Sequence, residues 1–558
     1  MNIIRHLSED HSQYAGSSCK LVLDVAALVI VQFLQGLDST IVSTAIPKIT
    51  DRFHAIEDIG WYSSVFTLTF CALQLVWGKL YAFYVAKWVY LAGLFIFELG
   101  SLICGIAPSS LALILGRAIA GLGGGGTGAG ALLLVSHLAP PRRRPTLIGI
   151  LVSTFGFGAA VGPLVGGAFT NNPTLTWRWC FYINLPLGAL SAAIVLAFVP
   201  VNKPPAMTTT WADRLLQMDL PGAMLLVPAV ISLLIALQWG GSKYPWGNGR
   251  IIALFILAGL LGIGFVLSQT CRKDERYVMV PQRLFRDPLV WGSAILGAST
   301  TASFFVVLYY LPIWFQAVKG ATPATSGVMN FPMTISFLLA SVLGGALSSE
   351  GSPSSVAARP RGCPGNVIAT MVGRWKPPSR TTALALSACI GPMLLSIGVG
   401  LLTTLSGSTG AGKWIGYQIL VGAGSGLGMQ TSLSAVQSLA SQMDVHAGTT
   451  IIFLSQNLTA SVLLSVAAML FNSQLHSRLQ DEVPELGADP TVVTDAGATG
   501  FRDVVPRPLI PDILEVFNEA LTTTLFVAVG AACFGIVGIV WFPLKKWNRK
   551  RRKDGSGV

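Results

Sequence analysis

Charge is scarce in this 558-residue chain: Asp, Glu, Lys and Arg together supply 11% of it, against roughly 25% in an ordinary soluble domain. With 52% of residues hydrophobic, that scarcity excludes a disordered chain, a fibrous one and an ordinary cytosolic enzyme. Cysteine is sparse as well. The eight cysteines form no C-x-x-C pair and have no histidine spacing suited to zinc, so neither a disulfide framework nor a metal site is expected, and no cofactor. The six histidines fall at run ends and in loops. No cluster of His, Asp or nucleophiles gathers at one end of the apolar runs, which argues against an enzyme embedded in the membrane. A cleavable leader is not expected either. Met1–Lys20 is polar, and the apolar run after it is too long for the core of a signal peptide.

Long apolar runs are what the chain has in abundance. Fourteen can be counted. The first six are Leu21–Ile46, Ile59–Ala82, Trp88–Ala107, Leu111–Leu138, Pro145–Thr170 and Cys180–Pro200, followed by Asp219–Gly240 and Arg250–Gln269. After a charged break come Leu289–Val318, Thr325–Ser348, Thr381–Leu405, Trp414–Leu439, Ala447–Leu475 and Val516–Phe542. A helix crosses a bilayer in roughly 20 residues, and lipid offers the backbone no hydrogen-bond partner, so each run must satisfy itself as a helix. An all-α integral membrane protein is expected.

An even count puts both termini on one side. With that side inside the cell, about 26 of the 37 Lys and Arg residues fall in inside segments and about 10 outside. The inside set holds Arg142, Arg143 and Arg144, then Arg272, Lys273, Arg276, Arg283 and Arg286, and a tail with Lys545, Lys546, Arg549, Lys550, Arg551, Arg552 and Lys553. The acidic loop Gln480–Glu515 is expected outside. The formal charge of +12 therefore reads as membrane orientation and contact with anionic lipid, not as a nucleic-acid footprint.

Two halves are visible. The fourth run holds GRAIAGLGGGGTGAG, with Arg117 four residues before Gly121; the twelfth holds GYQILVGAGSGLGMQ, with Gln418 four before Gly422. The expected division is a cytoplasmic N-terminus 1–20, a six-helix bundle 21–200, an inserted helix pair with a cytoplasmic linker 201–288, a second six-helix bundle 289–542 and a basic tail 543–558. Parallel halves of this kind are a transporter architecture, with the substrate site between them. The Ser-, Pro-, Gly- and Arg-rich segment Ser349–Arg380 fits neither bundle. It reads as a regulatory cytoplasmic loop or as a gene-model artefact.

Three ionisable side chains lie well inside the runs: Asp38, Glu98 and Arg117. Their depths agree, at roughly 12, 14 and 9 Å from the outer ends of the first, third and fourth runs. Groups at one height pair if their helices are neighbours, as a static salt bridge or as a switchable network. A lone buried carboxylate tends to hold its proton and one beside an arginine to lose it, so separating such a pair loads a proton. In the fifth run Gly158, Gly162 and Gly166 recur every four residues beside Pro163 and Gly167. Small residues let helices approach closely and proline favours a kink, so this stripe reads as close packing or as a pivot between the halves. Gln32, Gln35, Tyr309, Tyr310, Trp314, Gln430, Gln456 and Asn457 are candidate cavity-lining residues, each also able to serve as a helix-to-helix bond or an anchor. The acceptor pattern Asn457-Leu458-Thr459 lies within a run and is expected to stay unmodified. The glycines of the fourth run are no phosphate loop, because no Lys-Ser/Thr follows them.

Four segments together resemble a known family: LDSTIVSTAIPKIT at Leu37–Thr50, GRAIAGLGGG at Gly116–Gly125, GAAVGPLVGG at Gly158–Gly167 and WRWCFYINLPLG at Trp177–Gly188. They resemble the major facilitator superfamily, specifically its fourteen-helix drug:proton antiporters, and most of all the fungal toxin-efflux branch. The resemblance implies two six-helix bundles plus an inserted pair. It also implies export of a secondary metabolite, toxin or drug across the plasma membrane in exchange for protons, by a monomer. Arg117 would hold the proton-transfer position, Asp38 would pair with it and Glu98 would modulate the pair. The loop after the second run departs from the family's Gly-x-Leu-Ala-Asp-Arg-x-Gly-Arg-Lys. Gly78, Leu80 and Lys87 match, but Ala82, Phe83 and Val85 replace the Asp, the Arg and the second Gly. On the same fold, an importer or facilitator of a siderophore or nutrient is the nearest alternative, and a transport-incompetent receptor or damaged gene product another.

Overall fold

A computed structural model describes residues 18–53, 59–140, 143–172, 174–201, 219–240, 244–272, 278, 280–348, 380–437, 442–482 and 510–540. The segment 349–379, the tail and most of the expected acidic loop lie outside the described residues. What is described is helical, with one isolated bridge between Gly240 and Tyr244. Among the described residues, thirteen helices are long and apolar enough to cross a membrane. The fourteenth expected span is present but bent, as Ile59–Ala72 and Gln74–Phe83 on either side of Leu73. Hydrogen bonds from Leu73 N to Thr69 O (3.4 Å) and Trp77 N to Leu73 O (3.1 Å) carry the helix across the break.

We number the spans α1 (Ser18–Thr40, continued by Val42–Phe53), α2 (the bent pair), α3 (Ala86–Ile106), α4 (Ser110–Leu138), α5 (Arg144–Asn171), α6 (Asn184–Phe198) and α7 (Leu220–Trp239). The rest are α8 (Gly249–Cys271), α9 (Pro288–Ala317), α10 (Phe331–Ser348), α11 (Arg380–Leu402), α12 (Ala411–Val436), α13 (Gln442–Glu482) and α14 (Ile510–Val540). Capping side chains set several starts. Ser109 Oγ accepts from Ala112 N at α4, Asn248 Oδ1 from Arg250 N at α8 and Asp287 Oδ1 from Leu289 N at α9, each meeting an amide the helix leaves without a partner.

Two spans outrun the hydropathy. Ile41 N bonds Leu37 O at 2.8 Å, so α1 continues to Phe53 rather than stopping near Ile46. The 41 residues of α13 are about 60 Å long, twice a hydrocarbon core of about 30 Å. Its last turns and the start of α14 are held together by an ion pair between Arg478 and Glu519. The acidic loop expected over Gln480–Glu515 therefore loses both its ends to helix.

The repeat seen in the sequence is a repeat in packing. A side chain at Gly121 of α4 would collide with the Phe66 carbonyl of α2, and one at Gly123 with the Phe97 backbone of α3. In the second half, one at Gly422 of α12 would collide with the Met333 carbonyl of α10, and one at Gly424 with the Leu395 backbone of α11. Bundles α1–α6 and α9–α14 thus use the same joints. The pair α7–α8 stands outside them, and α8 buries only Ile251 and Gln269.

The halves meet along α5 and α10, where Ser341 Oγ donates to Gly149 O (3.3 Å) and Ser153 Oγ to Leu338 O (3.2 Å). They meet again toward the end carrying Arg143, Arg144 and Arg272, where Gly78 of α2 faces Thr450 of α13. At that same end Arg283 pairs with Asp444 in the first turn of α13 at 2.8 Å. The residues matching the family's loop motif serve as joints: Gly78 makes room for Thr450, Leu80 packs on the core, and Lys87 closes α6. Lys87 Nζ, nearly buried, donates to Leu196 O and Val199 O at 2.8 Å each, where the helix leaves carbonyls open. Lys87→Met is expected to cost about 1.5–3 kcal/mol, read as a lower midpoint of thermal unfolding in detergent. An unmoved midpoint would show that the lysine holds nothing.

Candidate functional site

The three ionisable residues arrive at one level of the first bundle, but only two join. Arg117 of α4 and Asp38 of α1 form an ion pair at 2.5 Å, their side chains 1% and 0% exposed. Charges so buried cost several kcal/mol each unless fully partnered, and here the partners are present. Arg117 Nε donates to Tyr62 O (2.9 Å) and Nη2 to Asp38 O (3.3 Å). The guanidinium lies 4.5 Å over the Phe66 ring and 6.0 Å from that of Phe181, so aromatic faces complete its shell. The other carboxylate oxygen of Asp38 accepts from Asn184 Nδ2 at 3.3 Å, and Asn184 also donates to Ser101 Oγ of α3 at 3.0 Å.

Asn184 is the functional-site residue that sequence reasoning passed over. It stands in the quoted segment WRWCFYINLPLG, but a search for ionisable groups does not stop at an amide. Glu98 sits beside this network without a bond to it. Both its carboxyl oxygens are buried and meet no hydrogen-bond partner, and the carboxyl fills the space that a side chain at Gly188 of α6 would need.

Between the halves lies a cavity walled chiefly by Phe155, Phe304, Phe305, Phe337 and Phe453. Its polar groups come from Gln32, Thr301, Gln456 and Asn457. Gln32 Oε1 and Thr301 Oγ1 meet no hydrogen-bond partner there, while Gln456 Nε2 donates to Ser432 Oγ (3.1 Å) and Asn457 Nδ2 to Phe453 O (2.7 Å). An apolar hollow with a few convergent polar groups is the usual form of a small-molecule site.

The other candidate lining residues do not wall this cavity. Gln35 Nε2 donates to Gly124 O (2.9 Å) and Thr127 Oγ1, tying α1 to α4. Gln430 Nε2 donates to Ser434 Oγ at 3.0 Å. Trp314 Nε1 donates to Asn518 Oδ1 of α14 at 2.7 Å, and Tyr310 is buried against Phe471. Tyr309 is 45% exposed. These are joints and an exposed face, because hydropathy does not say which way an amphipathic side chain turns.

The glycine stripe of α5 is also corrected. Side chains at Gly158, Gly162 and Gly166 would strike Phe33, Thr40 and Ile41 of α1, inside the first bundle. The face that meets the second half is the other one, with Gly149, Ser153 and Gly156 against Ser341, Leu338 and Phe337 of α10. Gly167 has open space around it. Pro163 has a defined part in this joint. Proline lacks the N–H that would bond the carbonyl four residues back, and the carbonyl so released, that of Ala159, accepts from Thr40 Oγ1 at 2.7 Å. Thr40 stands two residues from Asp38, so the charged pair and the Pro163 joint of α5 share one stretch of α1.

Comparison with known proteins agrees with this architecture. The sequence profile of the Major Facilitator Superfamily matches residues 28–464. The chain belongs to the Major Facilitator Superfamily. Among its relatives, the MFS-type efflux pump MFS1 of Arthroderma benhamiae is 41% identical over 533 residues, spanning 95% of this chain and 93% of its own. The MFS-type transporter astH of Aspergillus oryzae is 42% identical over 541 residues, spanning 96% and 90%. The efflux pump aflT of Aspergillus parasiticus is 39% identical over 535 residues, spanning 95% and 97%. A bacterial homologue of the human lysosomal transporter Spinster, solved inward-facing and unoccupied, aligns with a TM-score of 0.53 at 16% identity over 94% of this chain and 98% of that one. That likeness speaks to the fold. The chain is a multi-pass membrane transporter of the Major Facilitator Superfamily and not an enzyme.

The two halves of this Major Facilitator Superfamily chain differ in charge at matching joints. Gln418 of α12 donates to Met329 O at 3.0 Å, as Arg117 of α4 does to Tyr62 O. Asn518 at the head of α14 holds Trp314 of α9, as Asn184 at the head of α6 holds Asp38 of α1. One plan is used twice, and the ion pair is installed once.

Proposed function

We propose that this transporter exports an organic small molecule, a secondary metabolite, toxin or drug, across the plasma membrane in exchange for protons, with both termini in the cytoplasm. The observation that carries the reading is the buried Asp38–Arg117 pair, set in the helix that also packs on α5. A proton on Asp38 removes the charge that holds Arg117 and loosens α1 from α4. Because α1 grips α5 through Thr40 and the glycine stripe, a shift of α1 moves α5, and α5 bears on α10 across the cavity. One charge moved through 100 mV is worth about 2.3 kcal/mol, enough to bias such a switch. The phenylalanine walls of the cavity suit a flat, apolar cargo, and relatives bear the name efflux pump.

The test is transport of a planar aromatic dye in reconstituted vesicles with an imposed pH gradient. Wild-type protein should move the dye against its gradient toward the proton-rich side. Asp38→Asn should abolish that uphill movement while the protein stays in the membrane. Undiminished uphill transport by the variant discards the assignment, and dye movement in the same direction as the protons favours an importer.

A further inference from the structure

Glu98 is not used by the Asp38–Arg117 exchange, yet its surroundings are shaped to hold it. On α3, Glu98 and Ser101 are one turn apart; on α6, Asn184 and Gly188 are one turn apart. The two helices face each other as a ladder. Ser101 meets Asn184 in a 3.0 Å hydrogen bond, and one turn along, the Glu98 carboxyl fills the gap left by Gly188. Two sets of atoms in this ladder are without partners: both Glu98 carboxyl oxygens and Asn184 Oδ1. An ionised carboxylate is acceptor-only and has no donor to meet here. A carboxylic acid donates one O–H, and Asn184 Oδ1 is an open acceptor about 6 Å along the helix from the Gly188 gap.

We propose that Glu98 is a second proton-binding carboxyl of the transporter and that Asn184 is the positioning residue that carries its state to Asp38. The proposal deepens the proton-exchange reading and rests on it for its use in transport. A proton taken up on a Glu98 oxygen turns that oxygen into a donor, and rotation of the Glu98 side chain out of the Gly188 gap would bring it to Asn184 Oδ1. The same amide already gives its N–H bonds to Asp38 and Ser101, and hydrogen bonds in a chain strengthen one another. Protonation at Glu98 thereby tightens the hold on Asp38. Among the surrounding elements, α1 brings Asp38, α4 brings Arg117, already paired, and α2 brings Tyr62. The turn Trp179–Tyr182 brings Cys180 and Tyr182, α3 itself has Lys87, Tyr90 and Cys104, and α6 has no ionisable side chain.

Infrared difference spectroscopy of the full chain in phosphatidylcholine vesicles, titrated with acid and without any cargo, reads the carboxylic acid C=O stretch directly. The expected result is a band that is lost in Glu98→Gln, kept in Asp38→Asn and shifted in frequency in Asn184→Ala. A Glu98→Gln spectrum identical to wild type overturns the proposal. A band unmoved by Asn184→Ala overturns the link to Asp38, and this second arm stands even if Glu98→Gln does not fold. A band assigned to Glu98 in a protein whose dye transport ignores the pH gradient sinks the exchange reading and leaves the proton site in place.

Discussion

Arg117→Ala is expected to destabilise the protein by about 3–5 kcal/mol, the range found when one partner of a buried ion pair is removed. The reason is the carboxylate left behind. Asp38 is fully buried and would retain only the Asn184 bond at 3.3 Å. Tyr62 O would lose the Arg117 Nε donor as well. Removing both charges leaves no charge uncompensated, so the double variant Arg117→Ala with Asp38→Asn should recover much of the loss while staying inactive in pH-driven transport. Midpoints of thermal unfolding in detergent for the two single variants and the double measure this. Single-variant losses that simply add would show that the two side chains do not depend on each other.

Gly162→Leu is the second large effect. The new side chain would run into Thr40, and a Cβ atom already stands 3.0 Å from Ile41 N and Leu37 O. Overpacking costs about 1–3 kcal/mol where side chains can give way. Here main-chain atoms of α1 stand in the way, so the upper end or beyond is expected. The leucine would also part Thr40 from the Ala159 carbonyl that Pro163 leaves open. Gly167→Leu is the control, because nothing lies within 4 Å of the position. Detergent-solubilised Gly162→Leu should elute as aggregate and Gly167→Leu as wild type; equal behaviour of the two would remove the stripe from the account.

The sequence reveals types of contact more readily than partners. Fourteen spans follow from hydropathy alone, because lipid leaves a chain no other way to satisfy its amides. The meeting of Asp38 with Arg117 follows from depth, since charges at one level must find each other or face hydrocarbon. The same argument brings Glu98 to the right level and then runs out. Which neighbour a carboxyl turns to depends on a gap at Gly188, 90 residues further on. A glycine stripe announces close approach without naming the helix that approaches, so Gly158, Gly162 and Gly166 suit either face of α5 until α1 is seen against them. Asn184 is concealed by neutrality, and Trp314 by being equally apt for a wall or a joint. The ends of α13 and the start of α14 carry too much charge to register as apolar, and only contacts such as Arg478 with Glu519 reveal that they continue as helix.

The doubled plan with its single ion pair has an electrical consequence. Away from their end turns, α9 to α13 contain no Asp, Glu, Lys or Arg, and the acidic residues of α14 cluster in its first three turns. In the proposed exchange, the membrane voltage would then act on one wall of the molecule only, and the other would be carried along mechanically, by steric thrust through α5 onto α10.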